Sequence, residues 1–186
     1  MVLHDFWTFI IWSTAAGLII IGIYQLILLI LRARGVFVTR TKFGLTMIFD
    51  SEDADGTPIR LLNVNGTFQS VSYIAPELRF DLCIHYHRTM AKIIQQVAPR
   101  GHIVIMGGGG FSLPKYLTTH MNDASIDAIE IDPKIISLAH EHFFLDEALA
   151  VASSELRIIE DDAWKVLQNA TTGSIDVLVN EVFAGR

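Results

Sequence analysis

From Phe6 to Leu31 the chain runs 26 residues without one charged side chain. As an α-helix this stretch spans about 39 Å at about 1.5 Å per residue. A bilayer core of about 30 Å needs only about 20 apolar residues. Trp7 and Trp12 lie near one end, where indole rings favour the membrane interface. A signal peptide has a shorter apolar region of about 7–15 residues, behind a basic start and before a small-residue cleavage site. Here the acidic Asp5 precedes a longer run, and no such site follows. A buried core helix is the remaining alternative. The expectation is a transmembrane anchor over residues 1–35.

Charge orients it. Arg32, Arg34, Arg40 and Lys42 follow the run, and no Lys or Arg precedes it. The positive-inside rule then places the C-terminal body in the cytoplasm, on a single-pass anchor in the cell inner (cytoplasmic) membrane. From residue 43 onward ten basic residues face nineteen acidic ones. Such a body attracts a cationic substrate at long range, or is simply soluble. It argues against a nucleic-acid binder, which carries a basic footprint. With 51% hydrophobic and 18% charged residues the chain is not disordered. Cys83 is its only cysteine, so no disulfide forms within it.

Residues 36–75 read as a small β-strand unit: Val36–Val38, Gly44–Asp50, Ile59–Val64 and Thr67–Ile74. Asn65-Gly66 between two such runs signals a two-residue hairpin. Asp53-Ala54-Asp55-Gly56 resembles the start of a calcium loop. However, the twelfth position, Leu62, is not Glu, so it reads as an acidic turn. A helix is expected over Leu82–Val97, ended by Pro99 and Gly101. Strands and helices then alternate: His102–Met106, Leu113–His120, Ser125–Ile131, Pro133–Phe144, Leu156–Glu160, Ala163–Gln168 and Ile175–Asn180. That order predicts parallel βαβ units with right-handed crossovers over 76–186. The fold class is therefore α/β, an N-terminal transmembrane helix and a small β unit ahead of a Rossmann-like parallel sheet.

Three motifs fall at the ends of successive strands. Gly107-Gly108-Gly109-Gly110 follows the first, where glycine permits a tight turn and a close approach to a ligand. Ile129-Glu130-Ile131-Asp132 ends the second. Glu130 stands 23 residues after Gly107, suited to accept hydrogen bonds from ribose hydroxyls. Glu160-Asp161-Asp162-Ala163 ends the third and offers a carboxylate to an adenine amino group. Together they describe a nucleoside pocket; the alternative is a glycine turn beside solvated acids. A nicotinamide fingerprint lacks its third glycine, because the loop continues Gly110-Phe111-Ser112.

With these residues in place, the chain from about Leu61 to Phe183 resembles the spermidine synthase (polyamine aminopropyltransferase) family, especially its membrane-attached bacterial relatives. The resemblance rests on Leu61-Leu62-Asn63-Val64-Asn65-Gly66-Thr67-Phe68-Gln69, Tyr86-His87, Ile105 to Gly110, Ile129 to Pro133, Glu160 to Ala163 and Ile175 to Val179. It implies a methyltransferase-type fold binding decarboxylated S-adenosylmethionine as co-substrate and a polyamine as acceptor. It places Glu130 on the ribose, Asp162 near the adenine and Gly107–Gly109 around the methionine-derived portion. Gln69, Tyr73 and Tyr86 fall at polyamine or ligand contacts, or in β-sheet packing.

The chain also departs from the family. Where the family's loop continues with Asp and two glycines, this chain has Gly110, Phe111 and Ser112, without an acid for the ligand's amino group. The family's catalytic Asp lies five residues beyond the Asp of a Tyr-Asp-Val-Ile pattern. Counted from Asp176, that position is Glu181, one methylene longer. Family members continue beyond this point with strands and helices that complete the sheet and the polyamine pocket. The methyltransferase-type parallel sheet and the nucleoside-binding domain over 76–186 are thus expected to be incomplete, with the last strand an edge. A chain truncated at its C-terminus, a second chain covering the edge (a homodimer among the options) and a degenerate domain all fit.

The pairs His85-x-His87 and His140-x-His142 sit in expected helices. There residues two apart do not face each other, so no metal is expected. Cys83 reads as a small core residue on the helix, Trp164 as a core or domain-face aromatic, and Asp176 as a structural acid. Ser112 lacks the Gly-x-Ser-x-Gly elbow of hydrolases. The expected function is aminopropyl transfer to a polyamine with Glu181 as base. S-adenosylmethionine-dependent methyl transfer and a non-catalytic, membrane-tethered ligand-binding module are the alternatives.

Overall fold

The computed structural model describes residues 2–182, with side chains from residue 6 onward; Phe183, where the resembling stretch ends, lies outside them. The chain forms two compact units, Met1–Val38 and Thr39–Arg186. The first is dominated by α1 (Val2–Ala33). Its residues from Phe6 to Ala33 are long and apolar enough to cross a membrane. The Ser13 and Thr14 hydroxyls donate to the Ile10 carbonyl at 3.0 and 2.9 Å. This bond within the helix satisfies both hydroxyls inside an apolar run.

Four strands, β1 (Phe37–Thr41), β2 (Gly44–Glu52), β3 (Pro58–Val64) and β4 (Thr67–Tyr73), lie in sequence order in one sheet. The β2–β3 and β3–β4 pairs are antiparallel. Asn65 and Gly66 take φ of 51° and 84°, and Val64 pairs with Thr67 across them. Two consecutive positive φ values are what a hairpin turn of this length requires. The Asp53 carboxylate accepts from the amides of Asp55 and Thr57 at 3.0 and 2.9 Å, which closes the acidic turn on itself.

The second sheet is parallel, in the order β7 (Glu155–Glu160), β6 (Ser125–Glu130), β5 (His102–Met106), β8 (Val177–Asn180). The connections step outward from β5 to β7. The chain then returns to the other side of β5. The order therefore reverses between β5 and β8, and the carboxyl ends there open the crevice in which open α/β sheets bind ligands. Among the described strands β8 is an edge, as expected. Helices α2 (His85–Val97) and α3 (Ser112–His120) cover one face. Their Ala91, Ile94, Leu113 and Leu117 pack on Ile103, Ile105, Ile126 and Val179. The small sheet packs on α4 (Pro133–His142) through Ile48, Leu62 and Val64 against Ile135, Leu138 and Phe143.

Among the helices, two boundaries differ by two residues or more from the reading of the sequence. Helix α2 begins at His85, three residues late, because Ile84 is extended (φ −90°, ψ 131°). The Arg88 guanidinium donates to the carbonyls of Leu82 and Cys83 at 2.6 and 3.2 Å, holding that approach open. Cys83 thus precedes the helix instead of riding on it. Burial pushes its thiol up to about 11, so it is an inert thiol at neutral pH. The helix expected to reach Phe144 stops at His142, and α5 (Leu145–Ala150) follows. Phe144 breaks the run at φ 59°. Its ring is held beneath the Arg79 guanidinium, 4.2 Å from the centroid.

Candidate functional site

At the carboxyl ends of β5, β6 and β8 lies a cavity of about 610 Å³. Its floor is the glycine loop, and the side chain of every residue but glycine would disturb it. Gly107 sits at φ 95°, and a Cβ there would lie 2.8 Å from the Glu181 carbonyl. At Gly108 a Cβ would meet the Phe111 ring at 2.6 Å, and at Gly109, φ 51°, the Gln69 carbonyl at 3.1 Å. The loop after β5 is thus wedged between the loop after β8 and strand β4.

Glu130, nearly buried, holds this loop in place. Its Oε2 accepts from the amides of Gly108 and Gly109 at 2.9 and 3.2 Å, and its Oε1 from the Asp132 amide at 3.0 Å. Asp132 in turn caps α4 by accepting from the Lys134 amide at 2.9 Å. Its other oxygen accepts from the Lys42 amide at 2.6 Å. The β1–β2 turn, with Phe43, is thereby fixed at the cavity.

Glu181 follows β8 and lines the same cavity. Its Oε1 lies 2.5 Å from Nε2 of His87 on α2, and the two side chains are 11% and 7% exposed. Nothing in the local sequence marks this pair, whose members stand 94 residues apart. Tyr86 also lines the cavity and packs against the His87 ring, 4.3 Å between centroids. Burial, and then the Glu181 charge, hold its phenol above the usual value. A carboxylate braced by a histidine, in a cavity shared with a phenol, can hold an ammonium group and accept a proton from it.

Asp162 reaches the cavity from the turn before α6 (Ala163–Gln168). Its Oδ1 caps that helix by accepting from the Trp164 amide at 2.8 Å. Asp161 beside it is ion-paired with Lys165 at 2.9 Å; the hydrogen bond from Lys165 holds its carboxyl below the ordinary range. Gln69 lines the cavity as well. Gly110 and Tyr73 are not among the lining residues. Gly110 is buried, with Ser70 Oγ 2.6 Å from where its Cβ would be. The Tyr73 hydroxyl instead accepts from Arg88 at 3.2 Å. Trp164, read as a core or domain-face residue, is 67% exposed and lines the cavity.

The remaining candidates are structural. Ser112 Oγ is buried, donates to the Val71 carbonyl at 2.8 Å and lies 2.9 Å from Ser70 Oγ. Asp176 accepts from the His102 amide at 2.7 Å, which ties the start of β8 to β5. His140 pairs with Asp146 at 2.6 Å. Among the described residues no group of three or more His, Cys, Asp or Glu could hold a metal ion.

No family model matches the chain. Over 80 residues it is 28% identical to a polyamine aminopropyltransferase of Shigella sonnei and 26% identical to one of Escherichia coli, covering 43% of this chain and 27% of each relative. A probable spermidine synthase of Corynebacterium glutamicum superimposes with a TM-score of 0.60 at 24% identity, over 81% of this chain and 53% of that one. Spermidine synthase of Thermotoga maritima gives 0.58 at 15%, over 81% and 48%. A spermidine synthase in complex with the transition state analogue AdoDATO gives 0.57 at 15%, over 80% and 46%. The chain thus spans about half the length of these structures, and the matched stretch about a quarter of the curated relatives. It is spermidine-synthase-like in sequence over that stretch and has the fold of the spermidine synthases.

Proposed function

We propose that this chain carries the nucleoside-binding part of a membrane-tethered aminopropyltransferase, acting on decarboxylated S-adenosylmethionine and a polyamine. The observation that carries the reading is the Glu181 carboxylate, in the same cavity as the glycine loop and Glu130 and beside Tyr86. Glu130 gives three of its roughly four acceptor positions to backbone amides; the fourth is left for a ribose hydroxyl. Asp162, with Oδ1 used as a cap, offers Oδ2 to an adenine amino group. Gly107, Gly108 and Gly109 frame the methionine-derived chain. Gly110, in place of an acid, supplies no partner for its amino group. Gln69 and Tyr86 contact the acceptor; Tyr73, outside the cavity lining and bonded to Arg88, has no direct contact with it in this reading.

In this reaction the acceptor nitrogen attacks the carbon next to the sulfonium. The carbon–sulfur bond breaks with its electrons going to sulfur, and neutral 5′-methylthioadenosine leaves. The proton lost by the amine goes to Glu181, which His87 orients. Residues 1–35 serve as the anchor in the inner membrane. Residues 36–75 are the small β unit, and 76–186 the nucleoside-binding domain on the cytoplasmic side.

Calorimetric titration of the full chain in detergent with S-adenosylmethionine and its decarboxylated form tests this. Tighter binding of the decarboxylated form is expected. Polyamine-dependent turnover is expected to drop by about 100-fold or more in Glu181→Gln, the usual scale of a lost general base. Preference for the carboxylated form would move the reading to methyl transfer. Binding of neither would overturn both.

A further inference from the structure

Trp164 is the most exposed of the aromatic side chains lining the cavity, at 67%, against 51% for Phe43 and 44% for Tyr86. Tryptophan carries a large apolar surface and is seldom left so open without a use. Packing is not that use, because α6 buries none of its residues. The Tyr86 ring is already packed on His87. Trp164 lies two residues from Asp162, whose carboxylate accepts from the Trp164 amide at 2.8 Å. The indole therefore belongs to the part of the cavity where a carboxylate is available to an exocyclic amino group. Ile131, after β6, is an aliphatic member of the same lining.

We infer that Trp164 is the stacking surface for the purine of the nucleoside ligand, and that it sets the cavity's preference for a large aromatic base. This rests on the nucleoside-binding reading above. It assigns a role the glycine loop and the acids do not fill, since those groups hold the sugar, the side chain and the base edge. A flat indole takes the face of a base, and its contribution does not depend on charge. It therefore acts equally on the sulfonium substrate and on the neutral thioether product.

The chain has three tryptophans, and the other two, Trp7 and Trp12, lie in α1. A Trp7→Phe/Trp12→Phe variant of the full chain in detergent makes Trp164 the sole indole emitter. Titration with 5′-methylthioadenosine is expected to quench its emission. By calorimetry on the full chain, Trp164→Ala is expected to weaken binding about tenfold, the scale of one lost base–aromatic stack. Trp164→Phe is expected to restore most of it. A folded Trp164→Ala variant that binds 5′-methylthioadenosine as tightly as the parent overturns the inference and leaves the nucleoside reading standing. Failure of the parent chain to bind either 5′-methylthioadenosine or decarboxylated S-adenosylmethionine overturns both.

Discussion

Gly107 holds φ at 95°, and any side chain there would press a Cβ to 2.8 Å from the Glu181 carbonyl. Two separate costs follow from one substitution. A left-handed conformation costs an L-residue about 1–2 kcal/mol. Relieving the clash then moves the backbone that carries the proposed base. Gly107→Ala is therefore expected to lower stability by at least about 1–2 kcal/mol in urea denaturation. It is also expected to cut turnover more than Gly56→Ala, whose Cβ would meet nothing although its φ is also positive, at 80°. Equal turnover in the two variants would show that the contact with Glu181 has no functional weight. Glycine-rich composition did announce a close approach at this loop. It did not announce that the approaching group is the protein's own backbone.

Strands β5, β6 and β7 are joined across one face by a polar network. Asp127, buried on β6, accepts from the Arg157 guanidinium of β7 twice at 2.6 Å and lies 2.9 Å from His102 Nε2 of β5. Burial raises the Asp127 pKa, but the bonds from Arg157 and His102 outweigh it and hold the carboxyl below 3.8. Burial likewise lowers His102. The bonds to the Ser174 carbonyl and Asp127 outweigh that and hold the ring above 6.5. A group with its pKa lowered on folding adds stability above its unfolded value and loses it as pH falls. One with its pKa raised adds stability below its unfolded value and loses it as pH rises. The network is thus strongest between about pH 4 and pH 6.5. Asp127→Asn is expected to cost about 1–3 kcal/mol at pH 5, as an unmade buried hydrogen bond does. The gap to the parent chain is expected to narrow at pH 8, measured by denaturation at both. A gap that widens with pH would remove His102 from this account.

The whole molecule joins a helix that is uncharged from Phe6 to Leu31 to a body that is distinctly acidic beyond residue 43. Burying about 26 mostly apolar residues in hydrocarbon is effectively irreversible, whereas an acidic surface is repelled by anionic lipid headgroups. The full chain is therefore expected to stay with membranes through high-salt and alkaline washing. A variant lacking residues 1–35 is expected to be released to the soluble fraction. Retention of the shortened variant on membranes would place the anchoring elsewhere in the chain.

What the sequence determines by itself is what local chemistry and period encode. The apolar run of α1, the Asn65-Gly66 hairpin, the strand–helix alternation and the order of Gly107, Glu130 and Asp162 at successive strand ends are all legible there. Each is a property of neighbouring residues, because backbone preference and side-chain periodicity act over a few positions. Only the tertiary structure decides which of those groups are free to act. It commits Glu130 to the loop amides, sets His87 against Glu181 and presses Gly110 onto Ser70. It also turns Trp164 toward the cavity and breaks the helix at Phe144. These depend on contacts between residues tens of positions apart, and such contacts leave no repeat or spacing in the chain to read.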